Sequence, residues 1–283
     1  MQLTNEYIAQ WIHDYMADPA KNTMKKLPGF AFAEPLVGFS SAADLLYPFY
    51  KEHIDPQFYR LPTEWLQSAH GHAFDPEEVS VISWVVPQTE DTRKKSAANK
   101  DHAPFEWLMV RIHGEECNRD MAAALAEHLT SLGYEAVAPM CSSEFSWGDS
   151  EKYKIISNWS ERHTALISGL GTFGLCDGLI SKVGKAVRYG SVIVHAKLTP
   201  TPREYTEYNE YCQAKNGCTA CIRRCPAGAI SLEGGHDKDK CRAYQNKVLS
   251  EYYRKAFNHE GLSVCGLCQT AVPCESGIPA KLK

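Results

Sequence analysis

Cysteine is the residue whose number and spacing most clearly indicate chemistry in this chain. Of the eleven cysteines, eight fall between positions 212 and 274. The first four follow the pattern C-x5-C-x2-C-x3-C-P, and the second group is one cysteine followed by C-x2-C-x5-C. A tight C-x2-C loop presents two thiolates to one cluster, and four thiolates hold a 4Fe–4S cubane. The pattern therefore predicts two such clusters, with the ligands Cys212, Cys218, Cys221, Cys225, Cys241, Cys265, Cys268 and Cys274.

The proline after Cys225 suggests how these ligands divide. In two-cluster ferredoxins the cysteine before this proline binds the other cluster. The first cluster is accordingly assigned to Cys212, Cys218, Cys221 and Cys274, and the second to Cys225, Cys241, Cys265 and Cys268. The spacers after Cys212 and before Cys274 are wider than usual, so Cys176 is an alternative ligand at either place.

Paired cysteines also bind structural zinc, which is the competing interpretation. A zinc ribbon does not need the C-x3-C-P continuation or the AGAI segment that follows it, which resembles the start of a ferredoxin helix. The pattern favours iron–sulfur clusters over zinc. Clusters alone only carry electrons, so the larger N-terminal part must supply a cofactor or a docking face. The expected electron donor is a ferredoxin or a flavodoxin.

A glycine-rich segment, GLGTFG (169–174), matches the G-x-G-x-x-G pattern of dinucleotide-binding proteins. Its surroundings do not fit that pattern, because the preceding residues have helical character. Val194 and His195 also stand where an acidic residue would bind the ribose. An NAD-linked oxidoreductase is therefore disfavoured, and a tight packing turn is the simpler alternative.

The run ERHTALISGLGTFG, with CTACIRRCPAGAI, KCRAY and CGLCQ after it, resembles the epoxyqueuosine reductases and reductive dehalogenases over residues 158–274. The resemblance implies an α/β fold, with a mixed-sheet, nitroreductase-like core that binds cobalamin and a two-cluster ferredoxin-like module after it. It implies base-off cobalamin, without a protein ligand to cobalt. The implied cofactor-binding residues are Ser168, Gly169, Leu170, Gly171, Thr172, Phe173, Gly174, Gly190 and Ser191. We expect a bulky residue at Gly171 to block cobalamin uptake at the ring face.

Two positions depart from the family pattern. The family's catalytic aspartate would fall at Ile155, six residues before Glu161, and its basic residue after the glycine segment is replaced by Leu175. The nearest upstream acids, Asp149 and Glu151, would lie one to two turns away on a helix. An epoxide needs a proton for its departing oxygen, and isoleucine cannot supply one. We therefore predict a small substrate other than epoxyqueuosine.

Five residues near the glycine segment or at a predicted strand end are candidates for catalysis: His113, Tyr153, Glu161, Arg162 and His163. Histidine can exchange protons near neutral pH, and Glu161–Arg162 matches the family's site-lining pair. A satisfied structural histidine and a helix-surface ion pair are the alternatives. Two functions remain open. One is a cobalamin-dependent reductase, and the other is an electron carrier or reductive activator that docks onto a corrinoid protein and holds no cobalamin.

Hydrophobic patterning predicts the elements that position these residues. Helices are expected at 3–16 and from the N-cap Asn118 to Gly133, and strands at 79–86, 107–112, 135–139 and 191–198. The polar stretch 88–104 is expected to be a loop, and 27–62 to be irregular. The Pro-rich stretch 199–211 resembles a linker, which gives an α/β domain at 1–205 and a cluster domain at 206–283.

The composition fits a globular protein of 283 residues with 44% hydrophobic residues and a net charge of −4. This charge gives no bias toward nucleic acid, and the basic stretch 238–255 is interpreted as a solvated helix. No segment resembles a signal peptide or a membrane span, so we expect a cytoplasmic protein.

Overall fold

The computed structural model describes residues 3–258 and 264–281. Its α-helices are α1 (Asn5–Ala17), α2 (Leu46–Ile54), α3 (Pro62–His70), α4 (Glu90–Ala98), α5 (Phe105–Met109), α6 (Glu115–Ser131), α7 (Glu161–Ile167), α8 (Ala220–Arg224), α9 (Lys238–Tyr244) and α10 (Ser250–Phe257). Its strands are β1 (Leu36–Ser41), β2 (Ser80–Pro87), β3 (Ala136–Val137), β4 (Trp147–Ser150), β5 (Lys154–Ser157), β6 (Gly171–Phe173), β7 (Leu179–Ser181), β8 (Val187–Val194), β9 (Ile230–Ser231) and β10 (Gly235–His236).

The central sheet has the strand order β1-β2-β8-β3. Its three strand pairs are all antiparallel, so the expected mixed sheet is wrong, while the α/β class is confirmed. Every residue of β2 is buried, because helices cover both faces. Ile82, Trp84 and Val86 face the core built with α1 and α6, whereas Val81 and Val85 face the core built with α3 and α7. This alternation is the two-residue period of a strand.

The predicted helix at 3–16 and the strands at 79–86 and 135–139 are confirmed to within a few residues, and the strand predicted at 191–198 begins and ends four residues earlier. The strand predicted at 107–112 is wrong, because these residues form α5 and a π-helical turn, Val110–Gly114, that continues into α6. Trp107, Leu108, Met109 and Val110 are consecutive and all buried. A short unbroken apolar run does not distinguish a buried strand from a buried helix.

Two further segments differ from the sequence-based expectation. The stretch 88–104 contains α4, which begins where the Thr89 side chain accepts a hydrogen bond from the Thr92 amide. Residues 27–62 are not wholly irregular, since they contain β1 and α2. Asn118 lies inside α6 instead of capping it, and its side chain bonds Trp84 Nε1 and the Tyr189 carbonyl, each at 2.8 Å. Gly133, with φ of 89°, follows the end of α6 as predicted.

The stretch 199–211 has no regular secondary structure but packs closely on the α/β body. The Thr201 amide donates to the Phe39 carbonyl at 2.9 Å, and the Tyr211 amide donates to Thr172 Oγ1 at 2.9 Å. Beyond this stretch, Leu249, Tyr253 and Val264 join the same core as α1 and α6. The cysteine-rich residues thus share buried surface with the α/β part. In residues 3–258 and 264–281 no helix has both the length and the apolar character needed to cross a bilayer.

Candidate functional site

A cavity of about 770 Å³ lies between α2, the β4–β5 hairpin, α7 and the residues around the first cysteines. Small-molecule and cofactor sites commonly measure ~300–1,000 Å³. Phe49, Tyr50 and Phe173 form an aromatic part of its wall, and Arg162, Arg203 and Lys238 bring positive charge to it. A ligand with a large apolar surface and an anionic group would match both features.

Three of the five candidate catalytic residues line this cavity, namely Tyr153, Arg162 and His163. The other two do not. Glu161 lies behind the wall beside Ser191, and burial raises the pKa of its carboxyl to about 7. His113 is in the π-helical turn, not at a strand end, and its Nδ1 is 3.0 Å from Glu116 Oε2. Glu161 and Arg162 are therefore neighbours in the sequence, but only Arg162 lines the cavity.

His163 is held as a neutral imidazole. Its ring lies 4.4 Å from that of Tyr50 and 4.9 Å from that of Phe173, and its Nδ1 shares a 2.7 Å hydrogen bond with Ser160 Oγ. Burial, and then the charges of Arg162 and Lys238, lower the pKa of His163 to about 3. At neutral pH this side chain can orient a ligand by hydrogen bonding but does not serve as a cationic proton donor.

Two cavity residues were not found from the sequence, His236 and Lys238. Lys238 Nζ donates to the Tyr153 carbonyl at 2.9 Å, and burial lowers the pKa of this lysine. His236 Nδ1 lies 3.0 Å from Asp177 Oδ2, and hydrogen bonds with Asp177 and then Cys241 raise its pKa to about 10. Only their position just before Cys241 could have suggested that they belong to the site. The residues that they contact, Asp177 and Tyr153, are far away in the sequence.

The β4–β5 hairpin changes the interpretation of the missing family aspartate. Ile155 lines the cavity, and Asp149 is its directly opposite partner on β4. Opposite residues of an antiparallel pair share a sheet face, with Cβ atoms ~4.5–5.5 Å apart. The helical spacing assumed for Asp149 is therefore wrong. Asp149 lies across the hairpin from Ile155, is exposed to solvent and does not line the cavity, whereas Asp177 and Glu207 do.

The glycine segment mainly packs against protein. It runs from α7 through a turn at Gly169, with φ of 75°, into β6, so its order is helix–turn–strand. A dinucleotide fingerprint needs the reverse order, strand–turn–helix. Of the nine residues expected to contact a cofactor, only Phe173 and Gly174 line the cavity.

The remaining seven have other surroundings. Ser168 bonds Ser40, Thr172 accepts a hydrogen bond from the Tyr211 amide, and Ser191 accepts one from Trp159. Leu170 is part of the core beside α7. A Cβ on Gly190 would lie 2.5 Å from the Trp84 ring, and one on Gly171 would lie 2.1 Å from the Ile180 carbonyl oxygen. Gly169 forms the turn described above.

A side chain at Gly171 should therefore clash with the protein's own backbone and destabilise the fold. It would not reach a ring bound in the cavity. We expect Gly171→Ala to lower the free energy of unfolding by about 2 kcal/mol or more, because overpacking against fixed backbone costs ~1–3 kcal/mol. Chemical denaturation followed by circular dichroism measures this change. Gly277→Ala is the matched control, since the nearest atom to its added Cβ is 3.8 Å away. Equal stability of the two variants would contradict this account.

The predicted ligands of the first cluster are brought together. Cys212, Cys218, Cys221 and Cys274 line one small cavity. The Leu175 amide donates to Cys212 Sγ at 3.4 Å, a type of bond that orients and tunes cluster ligands. This donor set suits an iron–sulfur cubane. Among the described residues, no three histidine, cysteine or acidic side chains are arranged to hold a single metal ion.

The predicted ligands of the second cluster are partly grouped. Cys225, Cys241 and Cys265 are close enough for the first two to influence the pKa of the third. Ala229 donates its amide to Cys225 Sγ at 3.3 Å, and Gln245 donates to Cys241 Sγ at 3.1 Å. Cys268 is close enough to both Cys176 and Cys265 for them to influence the pKa of its thiol.

One thin wall separates the large cavity from the first cluster's ligands. Leu175, Cys212 and Ala214 line both the large cavity and the small cysteine-lined one. A cluster bound by Cys212 would thus be next to any molecule in the large cavity.

Comparison with known proteins agrees with this arrangement. Residues 216–275 match the family described as a 4Fe–4S double cluster binding domain. Epoxyqueuosine reductases of Bacillus cereus and Bacillus anthracis are 29% and 28% identical to this chain over 123 residues. The chain is thus similar in sequence to epoxyqueuosine reductases over less than half of its length. The matched segment covers 42% of this chain but only 30% of each of these curated relatives.

Solved structures of a reductive dehalogenase and of epoxyqueuosine reductases have a similar fold. A catabolic reductive dehalogenase superimposes with a TM-score of 0.53 at 17% identity, over 87% of this chain and 30% of that protein. An epoxyqueuosine reductase crystallised with a tRNA-Tyr stem loop gives a TM-score of 0.52 at 15% identity, over 98% of this chain and 67% of that protein. At these identities the likeness concerns the fold.

Proposed function

We propose that this protein is an oxidoreductase that passes electrons through two 4Fe–4S clusters to base-off cobalamin in the large cavity, where a small substrate is reduced. The observation that carries this proposal is the shared wall of Leu175, Cys212 and Ala214. It allows electrons to pass from the first cluster to a cavity ligand across a single layer of side chains. A ferredoxin or flavodoxin would supply the electrons.

The cavity residues fit a corrinoid in chemical character. The aromatic rings of Phe49, Tyr50 and Phe173 can cover an apolar macrocycle, and Arg162 and Lys238 can bind the phosphate of its nucleotide loop. When bound, cobalamin supplies a strongly reducing cobalt centre. That the core is nitroreductase-like remains part of this proposal. Measuring whether each chain binds one cobalamin tests the proposed cofactor.

A second candidate is an electron carrier or activator that docks onto a corrinoid protein. Its support is the exposed apolar rim of the cavity, where Trp147 is 67%, Tyr208 59% and Phe49 46% exposed. Exposed aromatic groups of this kind commonly mark protein interfaces. This candidate predicts no cobalamin uptake by the isolated chain, and it predicts faster reduction of an added corrinoid protein than of free cobalamin.

We further propose that the substrate is not epoxyqueuosine in tRNA. Ile155 stands on the cavity wall where the resemblance places an acid, and Asp149, opposite it on β4, is exposed and does not line the cavity. The chain should therefore fail to restore queuosine in a bacterial strain that lacks epoxyqueuosine reductase. Ile155→Asp alone should also fail, because Leu175 still replaces the family's basic residue.

Liquid chromatography and mass spectrometry of tRNA nucleosides measure this result. The authentic reductase expressed in the same strain is the positive control, and immunoblotting establishes equal expression. Queuosine in the strain that carries the unmodified chain would contradict the proposed substrate restriction without affecting the cluster assignment.

A further inference from the structure

Lys185 is a buried cation surrounded by sulfur. Lys185 is only 2% exposed, and its Nζ lies 3.3 Å from Cys176 Sγ. The other residues whose charge influences the pKa of Lys185 are also cysteines, namely Cys274, Cys268 and Cys221. No carboxylate of residues 3–258 and 264–281 forms an ion pair with it. A buried ammonium without a compensating anion is costly, so this environment is suited to negative charge.

The backbone fixes Lys185 against the cysteine-rich segment. The Lys185 amide donates to the Cys274 carbonyl at 3.0 Å, and the Ala186 amide donates to the Glu275 carbonyl at 3.3 Å. Gly184, with φ of 86°, packs so closely that an added Cβ would lie 2.1 Å from the Glu275 carbonyl oxygen. The α/β body thus holds this lysine beside a predicted cluster ligand through two main-chain hydrogen bonds.

Cys176 lies between ligands assigned to different clusters. It is 6% exposed, and Cys221 of the first set and Cys268 of the second are close enough to influence the pKa of its thiol. The small cavity that Cys212, Cys218, Cys221 and Cys274 line does not include Cys176. This arrangement favours Cys176 as a neighbour of the ligands over Cys176 as a ligand, which was the alternative left open by the cysteine spacing.

We propose that Lys185, positioned by Cys176, is an electrostatic tuning residue that raises the reduction potential of the first cluster. A cubane with four thiolates is anionic, and each added electron makes it more so. A fixed positive charge in a water-poor site stabilises the reduced form more than the oxidised form. The first cluster should feel this charge most, because Lys185 lines the same small cavity as Cys212, Cys218, Cys221 and Cys274. The inference depends on the cluster assignment but not on cobalamin.

The test is a redox titration of anaerobically reconstituted protein, followed by electron paramagnetic resonance. Lys185→Met removes the charge with similar side-chain length, and Lys185→Arg retains it. We expect Lys185→Met to keep full iron and sulfide but to titrate at a lower midpoint potential, whereas Lys185→Arg stays near the unchanged protein. Lys182→Met is the matched control, since the side chain of Lys182 is 56% exposed and pairs with Glu204 at 3.0 Å.

Several results would overturn the proposal. An unshifted midpoint in a fully loaded Lys185→Met protein would exclude electrostatic tuning. An equal shift in Lys185→Arg would indicate packing as the cause. If Lys185→Met does not assemble its clusters, Lys185→Gln decides, because it also removes the charge and should lower the midpoint at unchanged iron content. Loss of iron from Cys176→Ala would make Cys176 a ligand. Absence of iron and sulfide in the unchanged protein would instead refute the cluster assignment.

Discussion

Protein prepared without oxygen should contain about eight iron and eight sulfide per chain, as two cubanes require. Cys221→Ser and Cys225→Ser should each remove about half of the iron, because each variant loses one of the two clusters. The two residues belong to different ligand sets. Cys212→Ser should also lose the first cluster, since Cys176 contacts Cys221 and Cys268 and does not occupy the place of Cys212 beside Leu175. Chemical analysis of iron and sulfide measures all three variants.

Cys141→Ser is the matched control for these variants. Cys141 is exposed, and its thiol contacts the Arg119 carbonyl at 3.4 Å, away from the cysteine-lined cavity. Its replacement should leave iron and sulfide unchanged. Stoichiometric zinc without sulfide in the unchanged protein would show that the cysteine pattern had been misinterpreted. Retention of all iron in Cys212→Ser would return Cys176 or another residue to the ligand set.

The isolated chain should take up one cobalamin, and its Co(II) form should lack the nitrogen splitting of an axial base in the electron paramagnetic resonance spectrum. Phe173→Asp should weaken uptake at least about ten-fold. It removes an aromatic wall residue whose burial is worth ~1.5–3 kcal/mol and adds a carboxylate to the cavity. His163→Ala should leave the base-off signal unchanged, because the proposal assigns no imidazole to cobalt.

Phe30→Asp is the matched control, since Phe30 is 42% exposed and does not line the cavity. Titration monitored by visible absorption gives the affinity, and the apo-variants are first compared by circular dichroism. A base-on spectrum, or no uptake by a chain with both clusters, would favour the docking electron carrier. Equal affinity of Phe173→Asp and Phe30→Asp would place cobalamin elsewhere in the molecule.

The sequence was most informative where the determining contacts are local. Cys218, Cys221 and Cys225 lie within one short loop and helix, so their spacing largely fixes which sulfurs can meet a cluster. The run of β-branched and aromatic residues in β2 likewise indicated a buried strand, because such side chains fit a pleated, buried surface. The family relationship could be predicted for the same reason, since it depends on short motifs in a fixed order.

Only the tertiary structure decided the surroundings of the cavity. Asp149 and Ile155 are opposite each other because the chain forms a hairpin, a choice that their spacing of six residues did not specify. Glu161 and His163 are two residues apart on α7, yet one lies behind the wall and the other on it. Lys185 meets Cys221 and Cys274 through contacts that span tens of residues. Such contacts depend on how separate elements pack, and the sequence pattern of each element does not contain that information.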